Sequence, residues 1–414
     1  MAVKGNATLV VDLGNSSTKC QVLYGKKTNG QFKKFDFEIP NTFDFVYDAD
    51  YKVSSDYDTD TSAIISIDTE ILGNRLVGDF CNGELQEKEF GSGFMPSALE
   101  KKWALTTTPL SLRMAFVRAM EIIQKVSKSS SVDNLDITWN VVSLLPPGDI
   151  NMTVETKEDG TVVTGADKLK AIIKDICYIT SKYPEMSFDV NIDKVNILPE
   201  GYCAYAGCIY DNGQIFRDGY KAYTEETILI CDIGSGTTDI LMIKDNKLVQ
   251  NSKTTIKAGG SNVTSHVLYD LALKGVEVND ESIELGIIKG FVKNGAQKVS
   301  IVEEVNKAKR EVANTIVNEI SMFFKRMNIN TGDIAYVICC GGGALKSAEC
   351  LEIDSLGEKV VDCLKRYAPH AELMPYPKVK IIKENEFGEP YKVEEELSPR
   401  KLNLIGAGIL AEIL

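Results

Sequence analysis

The 414-residue sequence has only two histidines, His266 and His370, and its ten cysteines contain no C-x-x-C pair. So little imidazole argues against a His-based hydrolase or a His-rich metal centre. The missing dithiol spacing argues against structural zinc and against a redox dithiol. Most cysteines fall within apolar segments, which fits buried, reduced thiols in a cytosolic protein. No apolar run approaches the ~18 residues of a membrane span, and the opening "MAVKGNATLVVDLG" is too short and polar for a signal peptide. A cytoplasmic protein without membrane contact is expected. A basic excess is also missing: 46 Lys and Arg stand against 59 Asp and Glu, a formal charge of -13. Proteins that wrap nucleic acid need a basic footprint to neutralise phosphates, so direct nucleic-acid binding is not expected. One acidic stretch carries Asp56-x-Asp58-x-Asp60, but a calcium loop needs Gly at its sixth position and Glu at its twelfth. Thr61 and Ile67 stand there, which leaves a solvated loop.

What is present is an ordinary globular composition, 44% hydrophobic and 25% charged, in a chain long enough for two or three domains. Within it, "LICDIGSGTTDILMI", Leu229 to Ile243, joins an apolar strand, a polar Gly-rich turn and a second alternating strand. Asp-Gly combinations between apolar runs usually mark a plain hairpin. Here the pattern occurs twice. Val11-Asp12-Leu13-Gly14-Asn15-Ser16-Ser17-Thr18 lies over Cys231-Asp232-Ile233-Gly234-Ser235-Gly236-Thr237-Thr238. Two such units far apart in one chain predict a duplicated fold with two facing hairpins.

These turns have chemistry suited to phosphate. In a tight Gly-rich hairpin the backbone N–H groups point inward and make an anion-binding concavity. Gly14, Gly234 and Gly236 let the backbone come close, and the hydroxyls of Ser16, Ser17, Thr18, Ser235, Thr237 and Thr238 add donors. Asn15 belongs to the same turn. Lys19 either points at phosphate or is an alternating, exposed strand residue. Asp12, Asp232 and Asp239 would be acids beside phosphates, which calls for an intervening cation. Mg²⁺ held through waters, carboxylates and phosphate oxygens is the expected arrangement; the alternative for Asp12 is a turn-stabilising side chain.

Along the rest of the chain, strands alternate with helices, which indicates α/β layers with mixed sheets. The spacing predicts a helix from Leu110 to about Val126, following Pro109. A hairpin is expected on Asp159-Gly160, and a buried strand ending at Pro199 before a small-residue helix. Gly259-Gly260 should turn into a helix capped near Ser261. An amphipathic helix is predicted over Ile301 to Met327, with Val305, Ala308, Val312, Ile316, Ile320 and Phe323 on its buried face beside those two ends. A buried strand then runs into Gly341-Gly342-Gly343 and a helix start at Ala344, where a flat base or ribose can approach bare backbone. Gly259 and Gly260 would do the same on the other side. The tail "LNLIGAGILAEIL" reads as a buried helix.

The two Asp-Gly hairpins, "ILPEGYCAYAG", the Gly-Gly turn before a helix and "CCGGGA" occur in this order over residues 9–347. Together they resemble the actin, sugar-kinase and heat-shock-chaperone superfamily. "DLGNSSTK" and the chain length are most similar to ParM-like bacterial actins of plasmid segregation. The resemblance implies a duplicated, actin-like (ribonuclease-H-like) α/β fold of two lobes with mixed sheets and a nucleotide cleft between them. The lobes would be residues 1–200 with 395–414, and residues 201–394. It also implies ATP (or GTP) with Mg²⁺, and hydrolysis in which Glu200 orients the attacking water and Asp232 takes part; the alternative for Glu200 is an acid at the start of the helix near Gly201. Assembly into a polar filament is implied too, with a DNA-binding adaptor linking it to plasmid DNA. The rival is a small-molecule (sugar-type) kinase, which needs a catalytic Asp and a sugar pocket. Lys309 and Arg310 resemble the chaperone-type adenosine helix, but Asn306 stands where its acid would be. Solvent-facing charges are therefore the expectation for both.

Overall fold

A computed structural model describes residues 3–28, 31–48, 51–53, 57–58, 61–71, 74–90, 100–212, 215–347, 349–384 and 390–414. The chain divides into two compact units, residues 1–199 with 407–414 and residues 200–406. Each unit is built on the same sheet plan. In the first, strands Val3–Leu13, Ser17–Thr28 and Gln31–Pro40 form an antiparallel meander. Leu135–Leu145 and Asn191–Pro199 then extend the sheet in parallel from the other side of Val3–Leu13. In the second, Thr227–Ile233 and Thr238–Lys244 are antiparallel, and Thr254–Ile256 pairs antiparallel with the latter. Tyr336–Cys340 and Glu372–Leu373 extend that sheet in parallel. The repeat visible in the two hairpins therefore extends to the whole sheet order.

Parallel neighbours need a crossover, usually helical, and each unit places its longest helix before its first parallel strand. Helix Thr107–Ser127 is apolar on most sides because it packs on the five-stranded sheet and also on strands Ala63–Ile71 and Tyr178–Tyr183 of a second sheet. Phe116 meets Trp139 edge to face, with ring centroids 5.2 Å apart. This helix begins at Thr107, ahead of Pro109. A proline in the first turn lacks an N–H that would have no intrahelical partner there anyway. In the second unit, helix Val302–Arg326 buries Val305, Ala308, Val312, Ile316, Ile320 and Phe323, with Ile301 just before it. Met327, beyond its last turn, is exposed.

Other local expectations are corrected. Strand Asn191–Pro199 is the sheet's edge and is half exposed, not buried. The helix after Gly259 is capped by Gly259 itself, whose N–H donates to the Asn262 side chain at 2.8 Å, and not at Ser261. Gly341-Gly342-Gly343 open only a single 3-10 turn, Gly342–Ala344, and the next α-helix is Leu356–Leu364. Lys309 is buried, its Nζ donating to the Asp354 carbonyl at 2.7 Å, and burial pushes its ammonium down to about 8. Arg310 is exposed as expected. Asp56 and Asp60 lie outside the described residues. Among the described residues no helix is long and apolar enough to cross a membrane, and no three His, Cys, Asp or Glu side chains gather as metal ligands. The cysteines are free thiols, all buried except exposed Cys177 and half-buried Cys350.

Within the second unit, helix Tyr202–Ile209 meets the start of helix Leu402–Ala411 backbone to backbone. A Cβ on Gly406 would lie 1.7 Å from the Cys203 carbonyl oxygen and 2.7 Å from the Gly207 nitrogen. Gly406→Ala should therefore destabilise the protein by about 1–3 kcal/mol, lowering the melting temperature by roughly 2–4 °C per kcal/mol. Gly342→Ala, with nothing within 4 Å of the added methyl, should melt near wild type. Equal melting of the two variants would contradict the close approach.

Candidate functional site

Each unit carries one of the two hairpins, closed by the same backbone bond. Gly14 N–H donates to Ser17 O at 3.2 Å, and Gly234 N–H donates to Thr237 O at 2.8 Å. A Cβ on Gly14 would sit 2.5 Å from that Ser17 oxygen, so this turn needs glycine. The closing bonds set equivalent registers: Asp12 pairs across from Lys19 and Leu13 from Thr18, while Asp232 pairs across from Asp239 and Ile233 from Thr238.

In the first hairpin, Asn41 acts as a buried brace. Its Nδ2 donates to Gly14 O at 2.5 Å, and its Oδ1 accepts from Thr18 Oγ1 at 2.9 Å and Ser111 Oγ at 3.0 Å. Asn41 N–H also donates to Ser16 O at 3.0 Å. The Thr18 hydroxyl is thus directed into its own unit, and the Ser17 hydroxyl donates to Glu38. Asn15 is half-buried and Ser16 exposed at the turn. Lys19 is not an exposed strand residue. Its side chain is 14% exposed and its Nζ lies 3.4 Å from Asp12 Oδ2. A second lysine, Lys102, approaches Asp12 Oδ1 at 4.0 Å.

In the second hairpin the brace is backbone. Gly260 N–H donates to Gly234 O at 3.0 Å, and Ser261 N–H donates to Ser235 O at 2.7 Å. A Cβ on Gly259 would lie 2.6 Å from both of those carbonyl oxygens. Gly259 and Gly260 therefore seat the turn, and their amides are engaged there and with Asn262. Thr238 mirrors Thr18: its hydroxyl donates to Ala258 O at 2.7 Å and faces inward. Ser235 is exposed, with Gly236 and Thr237 half-buried beside it. Gly341, at φ 82°, and Gly343 pack on the end of strand Thr227–Ile233. A Cβ on Gly341 would fall 2.6 Å from Asp232 Oδ1, and one on Gly343 would fall 2.4 Å from the Ile233 side chain. Gly342 faces open space, and Ala344 is buried behind it.

The carboxylates of the second unit have distinct partners. Asp239 accepts from the Thr255 hydroxyl. Asp232 Oδ2 accepts from Asn403 Nδ2 at 2.5 Å, while Asn403 Oδ1 accepts from Gly201 N–H at 2.9 Å and Ala204 N–H at 3.1 Å. One buried amide thus joins Asp232 to the helix start that follows Glu200. Asn403 thereby accepts from the first turn of the helix that follows Glu200. Glu200 is 7% exposed, directly after strand Asn191–Pro199. Asp232 and Asp239, each 8% exposed, stand directly opposite, where like charges oppose one another. Mg²⁺ takes one or two carboxylates and keeps other positions for water and phosphate oxygens, so this pair fits it. Asp12, between two ammonium groups, is set up as their counter-ion. Sequence reasoning missed Asn41, Lys102 and Asn403, and only the position of Asn41 just past a strand-ending proline was a local signal.

A sequence-family model described as the C-terminal part of an archaeal actin homologue, MreB-like, matches residues 230–352. No curated protein matches the sequence. Among solved structures, the actin-like protein Alp7A is similar at a TM-score of 0.63 and 16% identity, covering 99% of this chain and 97% of its own. Ta0583, an archaeal actin homologue, is similar at 0.61 and 16%, covering 98% and 99%. A 15-stranded ParM filament from Clostridium botulinum is similar at 0.57 and 16%, covering 99% of both chains. The chain therefore has the actin-like fold, in the form shared by ParM proteins and archaeal actin homologues.

Proposed function

We propose that this chain is a nucleotide-dependent actin-like protein that hydrolyses ATP or GTP and assembles head to tail into a polar filament. The observation that carries this is the duplicated Asp-Gly hairpin, with lysines at the carboxylate of one copy and paired carboxylates in the other. Structures of similar fold include Bacillus thuringiensis ParM with ATP and Ta0583 with ADP, which supports nucleotide binding here, as the ParM filament supports self-association. The amides of the first turn and Lys19 engage phosphate oxygens. Asp232 and Asp239 hold Mg²⁺, which neutralises phosphate charge when bound. Glu200 orients the attacking water, and Asn403 keeps its segment in step with Asp232. Nucleotide state then biases the affinity of subunits for one another. The cargo is plasmid DNA in the cytoplasm, reached through a DNA-binding adaptor, as suits a chain of formal charge -13.

Adding Mg-ATP or Mg-GTP should give pelletable polymer above a critical concentration, with turnover per molecule rising with protein concentration as subunit contacts complete the site. A small-molecule kinase would instead stay in the supernatant, turn over at constant rate per molecule, and speed up only with an added acceptor such as a sugar. That outcome would replace the filament reading.

Glu200→Ala should slow single-turnover hydrolysis by about tenfold or more while nucleotide affinity stays near wild type. Equal losses in binding and turnover would make Glu200 structural, and unchanged turnover would remove it from the mechanism.

A further inference from the structure

We propose that the outward face of helix Asp280–Lys289 is a two-fold contact between copies of this chain, separate from the head-to-tail assembly above. The helix is held to its own unit by its inner face. Ile283 and Gly286 are buried, and a Cβ on Gly286 would lie 2.7 Å from Val292 Cγ1 and 2.9 Å from Ile301 Cδ1. The opposite face carries Glu281, Leu285 and Lys289 at four-residue spacing, with Glu284 and Ile288 beside them, and all five are exposed. Residues four apart are neighbours on a helix surface, so this ridge reads acid, apolar, base. Leu285 is 49% and Ile288 45% exposed. Ser347 Oγ donates to the Ile288 carbonyl, and a Cβ on Gly290 would lie 2.7 Å from Cys350 Sγ. Leu351, 76% exposed, follows Cys350 at that end.

Charge complementarity identifies a second copy as what covers this face. On the neighbouring helix Gly260–Leu273, Asp270 pairs with Lys307 at 2.8 Å and His266 Nδ1 lies 3.2 Å from Glu311 Oε2, so those groups are engaged within the unit. Glu281, Glu284 and Lys289 make no ion pair among the described residues. Exposed Glu277 and Asp280 add to the acidic end. At the other end Lys289 is followed by Lys293 and Lys298, cross-strand partners on a hairpin, with Lys298 over the Phe291 ring. Exposed Glu349 and Glu352 offset part of that lysine excess without pairing with it. An acid-to-base order also suits the helix dipole, but the dipole gives no reason for Leu285 and Ile288 to stand exposed. In the commonest packing of helices their four-residue ridges interdigitate. A second copy turned about a two-fold axis at Leu285 therefore sets Glu281 of each copy beside Lys289 of the other, with the apolar side chains between. A two-fold contact closes on itself and cannot lengthen a polar filament, so it joins copies that belong to different filaments. The helix has ten residues, about 15 Å of length. One such contact is weak, and repetition along a polymer multiplies it.

The experiment is sedimentation equilibrium of the nucleotide-free chain at low and high salt, for wild type, Glu281→Lys, Lys289→Glu and the double variant. Wild type should show a monomer–dimer equilibrium with a Kd on the order of 100 μM at low salt, weakened at high salt as exposed charges are screened. Each single variant sets like charges against each other and should weaken the dimer by about tenfold. The double variant exchanges acid and base, so complementarity returns and most of the affinity with it. It also carries both changes that oppose the helix dipole, so a loss through damage to the helix would be greatest there. A double variant weaker than either single one would overturn the assignment. So would wild type that stays monomeric up to roughly 1 mM, or association that the single variants leave within about twofold of wild type. No nucleotide is present in these measurements, so the contact and the nucleotide reading stand or fall separately.

Discussion

The candidate site depends on one backbone hydrogen bond made twice, Gly14 N–H to Ser17 O and Gly234 N–H to Thr237 O. That bond fixes the hairpin register, and a one-residue slip would turn every following side chain to the opposite face. With the register held, the residue two before the glycine and the residue five after it are cross-strand partners. In one unit those partners are Asp12 and Lys19; in the other they are Asp232 and Asp239. Identical backbone geometry therefore carries an ion pair in one copy and two like charges in the other. A phosphate needs cations and amides, and a divalent metal needs carboxylates, so a duplicated scaffold can divide the two tasks between its copies.

What braces each turn also differs, although the purpose is shared. Asn41 satisfies the first turn with a side-chain amide, and the start of helix Gly260–Leu273 satisfies the second with its own N–H groups. In both copies the brace donates to turn carbonyls, Gly14 O and Ser16 O in one and Gly234 O and Ser235 O in the other. Asn403 links two further groups, because one amide side chain holds both the Asp232 carboxylate and the backbone after Glu200. Truncating it would take that acceptor from the Gly201 and Ala204 N–H groups.

The hairpins and the long helix of the second unit were legible because their signals are local: Asp-Gly turns between alternating strands, and a helical stripe from Val305 to Phe323. The inward turn of Thr18 and Thr238 was legible too, though the hydroxyl inventory overrode it. Thr18 shares a strand face with Cys20 and Val22, and Thr238 shares one with Ile240 and Met242, all of them core residues. Lys309 was misread for a similar reason. It lies four residues from Val305 and beside Ala308, at the edge of the buried stripe. Asn403 could not be found, since its partner Asp232 is 171 residues away and only tertiary packing joins them. The glycine triplet was recognised as special, but its first and third members serve the packing against Asp232 and Ile233 and do not open a helix.

The central claim is that the hairpins make this chain a nucleotide-binding protein, and calorimetric titration with Mg-ATP (or Mg-GTP) tests it most directly on wild type, Lys19→Ala and Asp232→Ala. The account predicts saturable binding by wild type, weakened by about tenfold or more in each variant. No binding by wild type at millimolar nucleotide, or a variant that binds like wild type, would contradict it.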